Sequence, residues 1–188
     1  MRLDTARRRG SAWRALTLSL AGLAASALLA SGAMKDGGAR AEDAVTAEQA
    51  RLLDYGREIF KTKATCQFCH KWDGSGDQGY GGNALSLRNT KLTAEQMTET
   101  VKCGRPGTGM PYHDAFAYTD KRCYGLTRAS IGNDMPPEPM AFLNAHEIDA
   151  VVKYLFAKAV GRGASTYEEC VEFWGTGTRQ CDPMKPTP

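Results

Sequence analysis

The sequence predicts an all-α fold of three main helices joined by long glycine-rich loops. Three stretches pair a helix-opening signal with apolar residues at helical spacing. The segments between them are rich in glycine, and alternating, strand-like patterning is scarce.

Ahead of the first helix, residues 1–41 read as a secretory signal peptide. Arg7, Arg8, Arg9 and Arg14 make a basic start, and an apolar run from Ala15 to Ala30 follows that is short for a membrane span. Ala39-Arg40-Ala41 offers a small-x-small cleavage site before Glu42, and an uncleaved N-terminal anchor is the alternative. Either way the rest of the chain is expected outside the cytoplasm, in the periplasm, with no stable membrane insertion once the leader is removed.

The first helix is expected to open at the capping box Thr46-Ala47-Glu48-Gln49 and to present Leu52, Leu53, Tyr55, Ile59 and Phe60 on one side. It leads into Cys66-Gln67-Phe68-Cys69-His70, the attachment signature of a c-type haem. The spacing serves a definite chemistry. Two thiols on one helical turn can add across the two vinyl groups of one haem edge, and the next residue offers an imidazole nitrogen to the iron. A zinc ribbon would want a second C-x-x-C, which the sequence lacks, and a redox dithiol would want a βαβ setting. One such motif predicts one covalent haem c with its iron.

Beyond it, glycine-rich loops run from Gly74 to Gly82, Gly104 to Gly109 and Gly125 to Pro139, a composition that lets backbone approach a haem edge. The box Thr93-Ala94-Glu95-Gln96 opens a middle helix through Met97 and Val101. Asn144-Ala145-His146-Glu147 opens the last, with Ile148, Val151, Val152, Leu155, Phe156 and Val160 on its apolar face and Gly161 to end it. This gives three regions: the leader at 1–41, a domain at 42–160 and a C-terminal extension at 161–188, stapled by a disulfide and packed on the domain.

Four cysteines remain after the haem motif, and in an oxidising compartment they suggest two disulfides with three possible connectivities. The local pairing Cys103–Cys123 and Cys170–Cys181 is preferred, because each closes a short Gly- or Pro-rich loop.

The formal net charge of +3 belongs to the leader, which holds seven of the 24 Lys+Arg and two of the 21 Asp+Glu. The remainder has 17 basic and 19 acidic groups, a balance of −2, so there is no case for nucleic-acid binding.

Taken together, the N-terminal helix, C-x-x-C-H, middle helix, methionine loop and amphipathic C-terminal helix resemble the class I cytochromes c over roughly Val45 to Val160. The resemblance implies a small all-α wrap around one haem held by His and Met. It puts Gly56 and Phe60 of the first helix against Tyr154 of the last. The family's Gly-Pro after the haem motif is replaced here by Gly81-Gly82-Asn83-Ala84-Leu85, so a carbonyl near Gly82 or Asn83 is expected to orient His70.

Two methionines fit the sixth position. Met110, in Gly107-Thr108-Gly109-Met110-Pro111, is preferred, and Met135, in Asp134-Met135-Pro136-Pro137, is the alternative. Met97 and Met140 read as core. His113 reads as a loop residue rather than a second histidine ligand, and His146 as an exposed imidazole in a first helical turn. Trp72, Tyr80 and Arg105 are candidates to bond a haem propionate, and Phe173 and Trp174 read as an apolar patch covering the domain.

With both axial positions filled the iron has no open site. The resemblance therefore implies an electron carrier rather than an enzyme, meeting its partners weakly and through charge-sensitive encounters. The expected donor is a periplasmic dehydrogenase, such as a quinoprotein alcohol dehydrogenase, and the acceptor a terminal oxidase or another cytochrome. A haem enzyme or gas sensor with a labile sixth ligand is the alternative, and a zinc or thiol protein comes third.

Overall fold

The computed structural model describes residues 35–187. The basic and apolar stretches of the expected leader lie outside them. The chain divides at Arg40 into two units, and of the first only Lys35–Arg40 is described, as helix. No helix among the described residues is long and apolar enough to cross a membrane.

Helix α1 spans Lys35–Glu58 and continues into a single π-helical turn, Ile59–Lys63. Thr46 therefore lies within the helix, contrary to the expectation that it opens it. With a turn of helix before it, the amides that a cap at Thr46 would satisfy already have backbone acceptors. The next elements are a short helix α2 (Gln67–His70) and strands β1 (Asp77–Gly79) and β2 (Gly82–Ala84). Helix α3 (Ala94–Cys103), a one-turn helix α4 (Arg128–Ile131) and helix α5 (Ala145–Lys158) follow. Helix α6 (Tyr167–Trp174) and a 3₁₀ segment at Arg179–Met184 complete the chain. The two strands pair antiparallel, Gln78 facing Asn83. This hairpin is absent from the all-α expectation, because three-residue strands of Asp, Gln, Asn and Gly carry no apolar alternation to reveal them.

The capping signals explain where α3 and α5 begin. Thr93 accepts from the Gln96 amide while Gln96 reaches back to the Thr93 amide, and Asn144 and Glu147 do the same for α5. Helix α5 stops at Lys158; Gly161, expected as its terminator, comes three residues later at φ +73°, with its amide on the Arg88 carbonyl.

The core forms where α1 crosses α5. A Cβ on Gly56 would lie 2.1 Å from the Ala150 carbonyl oxygen and 2.7 Å from the Tyr154 Cβ, so only glycine lets the two backbones approach this closely. One turn on, the Phe60 ring meets Tyr154 at 5.9 Å and Phe173 of α6 at 6.4 Å. Ile59, Met97, Val101, Ile148, Val151 and Leu155 fill the same cluster. Phe173 is buried within it, and its neighbour Trp174 packs at its edge. A second cluster of Tyr112, Ala117, Tyr118 and Ile131 lies inside the segment between α3 and α5, around the disulfide Cys103–Cys123. The other pair, Cys170–Cys181, ties α6 to the final 3₁₀ segment.

Two buried charges fasten the pieces. Arg88, 7% exposed, donates to the carbonyls of Asp73, Arg162 and Gly163 and to the Glu169 carboxylate at 3.0 Å. It thereby locks the loop after the haem motif to the base of α6. Glu147, besides capping α5, accepts from Tyr55 of α1 at 3.0 Å and pairs with Lys63 of the π turn.

The Lys63 ammonium, the Asn144 amide and the Tyr55 hydroxyl hold the Glu147 carboxyl below its ordinary value of 4.5, against the opposing effect of burial. A carboxylate depressed by folding adds stability that is fully present above the unfolded value and is lost as pH falls through the folded one. Urea unfolding followed from pH 7 to pH 3 is expected to show a drop below about pH 4.5 that is shallower in Glu147→Gln, with Glu147→Gln less stable by about 1–3 kcal/mol at pH 7.

Candidate haem site

The motif sits on one turn of helix. The His70 amide bonds the Cys66 carbonyl at 2.9 Å, an i→i+4 bond, so both thiols and the imidazole leave from the same turn. Thr65 and Lys71, which bracket it, take φ of 51° and 61°. Neither is glycine, and left-handed backbone costs such residues about 1–2 kcal/mol each, a cost that persists where the surroundings over-determine the conformation. Cys66 and Cys69 are free thiols and do not bridge each other. Burial pushes the Cys66 thiol up to about 12, so it stays protonated at neutral pH.

The hairpin β1–β2 lies against this turn. Its Gly81 amide donates to the Phe68 carbonyl at 2.9 Å, and the Gly76 amide caps the His70 carbonyl at 3.0 Å. A Cβ on Gly79 would fall 2.4 Å from the Phe68 oxygen and 2.6 Å from the Cys69 oxygen; one on Gly81 would fall 2.7 Å from the Cys69 sulfur. The glycines are thus a packing requirement of the motif turn itself.

His70 Nδ1 lies 3.1 Å from the carbonyl oxygen of Leu85. The orienting carbonyl belongs to Leu85 and replaces the expected Gly82 or Asn83, because those residues are spent in the hairpin and the chain reaches the imidazole only after β2. A proton on Nδ1 donated to Leu85 leaves Nε2 as the nitrogen free to coordinate. Burial pushes the imidazole below its ordinary range, the Leu85 bond opposes this, and the positive charge of Arg105 adds to the lowering.

Arg105 belongs to the loop that carries Met110. Its amide donates to the Met110 carbonyl at 3.3 Å, its own carbonyl accepts from Thr108, and the Met110 amide donates to the Thr108 hydroxyl at 3.2 Å. A Cβ on Gly104 would meet the Met110 oxygen at 2.6 Å, so the loop closes tightly on the end of α3. The Arg105 charge carried by this loop contributes to the lowering at His70. Met135 instead packs against the second cluster, with its amide on Gly132. Met97 is buried in the main core, as expected.

Met140 is not core. It is 87% exposed, and its sulfur stands 3.9 Å from the Thr65 hydroxyl, one residue before Cys66. Nothing in the sequence around Met140 distinguishes it from packing; only the return of the chain toward Thr65 does. His113, 4% exposed, is fixed by its Nδ1 on the Ala141 carbonyl and its amide on the end of α3. His146 is exposed and stacks on Tyr55. Of the propionate candidates, Trp72 packs on Phe173, Tyr80 is fully exposed at the hairpin tip, and Arg105 is the one whose charge reaches the motif.

These residues fit a covalently held haem. Two unbridged thiols share a turn with an imidazole whose Nδ1 is already engaged, and three large apolar side chains beside it are left uncovered: Phe68, Leu85 at 70% exposure, and Met140. Such a surface asks for an apolar partner.

Residues 51–128 match the family model described as cytochrome c oxidase, cbb3-type, subunit III. Over that stretch the match supports a class I c-type cytochrome domain. The matched stretch takes in the motif, the hairpin, α3 and Met110, and stops before Met135 and α5. No curated protein and no solved structure matches the chain. The helix-rich architecture fits the cytochrome c fold, a domain of this kind implies haem c and iron, and haem-based electron transfer is its general role.

Replacing Gly79 with valine should force the hairpin off the motif turn. Haem per polypeptide, read from the pyridine haemochrome spectrum, is expected to fall several-fold in Gly79→Val and to stay at the wild-type level in Gly163→Ala, where a Cβ meets nothing within 4 Å.

Proposed function

We propose that the chain is a periplasmic electron carrier with a single haem, bound through Cys66 and Cys69 and ligated by His70 and Met110. The observation that carries this reading is the pair of unbridged thiols sharing one helical turn with an imidazole whose Nδ1 is already engaged. Met110 is supported by its glycine-flanked loop, closed on the end of α3 and carrying Arg105, whose positive charge contributes to the lowering at His70. A thioether opposite an imidazole favours ferrous iron and raises the potential. With both positions filled, an electron enters and leaves through the haem edge, and no bond is made at the metal.

The partners follow from the same reading. A periplasmic dehydrogenase, such as a quinoprotein, supplies electrons, and a terminal oxidase or another cytochrome accepts them. The family description, which attaches this kind of domain to an oxidase, supports an oxidase on the acceptor side. Export places the start of the mature protein at Glu42. N-terminal sequencing of protein recovered from the periplasm is expected to begin there, and retention of residues 1–41 would instead indicate an anchored form.

Visible spectra test the ligation. Wild-type protein reduced with dithionite is expected to show a sharp α band that carbon monoxide leaves unchanged, and Met110→Ala to bind carbon monoxide readily. Met135→Ala and Met140→Ala should behave as wild type. If Met140→Ala opens the iron and Met110→Ala does not, the ligand is Met140. Ready binding by the wild type would favour a haem enzyme or gas sensor.

A further inference from the structure

The segment between α3 and α5 is longer than a methionine loop needs, and its chemistry converges on one point. Helix α3 ends with carbonyl groups that have no partner within the helix. The carbonyl of Cys103, its last residue, accepts from the Tyr118 hydroxyl at 2.7 Å, and that of Gly104, just beyond it, accepts from the Tyr124 hydroxyl at 2.8 Å. Both tyrosines have left-handed backbone, at φ 62° and 54°. Bulky residues adopt that conformation only where their surroundings enforce it. Here the enforcement comes from the Cys103–Cys123 disulfide, the Arg128 amide on the Tyr118 carbonyl, and the edge-on packing of Tyr118 against Tyr112.

The carbonyls so gripped lie at the root of the Met110 loop. Gly104 is in backbone contact with Met110, and Arg105 bonds to it. The middle of the loop is tied back as well, because the Gly107 amide donates to the Asp134 carbonyl at 2.8 Å. We propose that Tyr118 and Tyr124 are positioning residues for the sixth ligand, their hydroxyls fixing the end of α3 so that Met110 is held on the iron. This rests on Met110 being that ligand. Burial raises both phenols, Tyr118 to about 12, so both remain protonated donors across the physiological range.

The test is the rate at which cyanide binds the ferric holoprotein, which requires the methionine to leave. Tyr118→Phe and Tyr124→Phe each remove one hydroxyl and little else. The double variant is expected to bind cyanide about ten-fold faster than wild type, in keeping with the loss of two hydrogen bonds of ordinary strength, and Tyr124→Phe alone to fall between. Tyr124 is partly exposed, so this single variant serves if the double one fails to load haem. Glu147→Gln, which loses bonds to Tyr55 and Lys63 and none to the end of α3, should bind cyanide at the wild-type rate, which separates positioning from general loosening. A wild-type rate in the tyrosine variants, with fast binding in Met110→Ala, would overturn the proposal and leave the ligand assignment standing. A wild-type rate in Met110→Ala would overturn both.

Discussion

Two thiols and one imidazole must reach a single flat ring from one turn of helix, and most of the fold can be understood as serving that requirement. A turn as short as α2 has little stability of its own. It is held from outside: the π-helical turn before it continues a helix packed into the core, and the hairpin after it supplies amides to the Phe68 and His70 carbonyls. Because the hairpin backbone must touch the backbone of the turn, its contact positions are glycine. Left-handed Thr65 and Lys71 mark where the chain is bent into and out of that turn. The strain is local, and the α1–α5 crossing at Gly56 supplies the rigid frame that sustains it.

The rest of the chain compensates for how little apolar core so short a domain can build. One cluster lies between α1, α3, α5 and α6, and a second surrounds the disulfide between α3 and α5. Both additions to the bare helical frame carry their own cross-link, and each is also bonded back through polar groups. The C-terminal extension covers Phe60 and Trp72 with Phe173, while Lys61 lies over the Phe173 and Trp174 rings and Arg57 donates to the Glu172 carbonyl. Arg88 then ties its base to the loop after the motif. The extension is therefore part of the wall behind the haem motif.

The parts legible in the sequence are those with local chemistry. C-x-x-C-H, the boxes at Thr93 and Asn144, and the pairing of cysteines across short loops all depend on residues close together in the chain. Thr166-Tyr167-Glu168-Glu169 is a box of the same kind and opens α6, so that helix was legible too, though the tail reads first as a covering patch. What could not be read depends on where distant backbone arrives. The acceptor for His70 is a carbonyl, which any residue possesses, and only the hairpin decides that it is Leu85's. Arg88 looks like a surface charge until three carbonyls from two separate segments close around it. Met140 and Met97 are the same residue type in unremarkable contexts, yet one is buried and the other lies open beside Thr65.

The two additions differ in what they can do for the iron. An outer-sphere carrier works best when its ligands hardly move between oxidation states, the electron-transfer counterpart of preorganisation at a catalytic site. His70 has its restraint in the Leu85 carbonyl, which fixes both tautomer and ring angle. A methionine on a glycine-flanked loop has no such intrinsic restraint, since a thioether makes only weak hydrogen bonds and the side chain has three free torsions. Its position must be imposed through the backbone. On the proposed ligation, the segment after the Met110 loop would supply that restraint with a buried disulfide, two tyrosine hydroxyls and the Asp134 carbonyl, all bonded to residues 103–107. The α6 extension acts on the opposite side, against α1 and the loop after the motif. The insertion and the extension are thus two separate restraints, one on the segment that carries Met110 and one on the segment that carries His70.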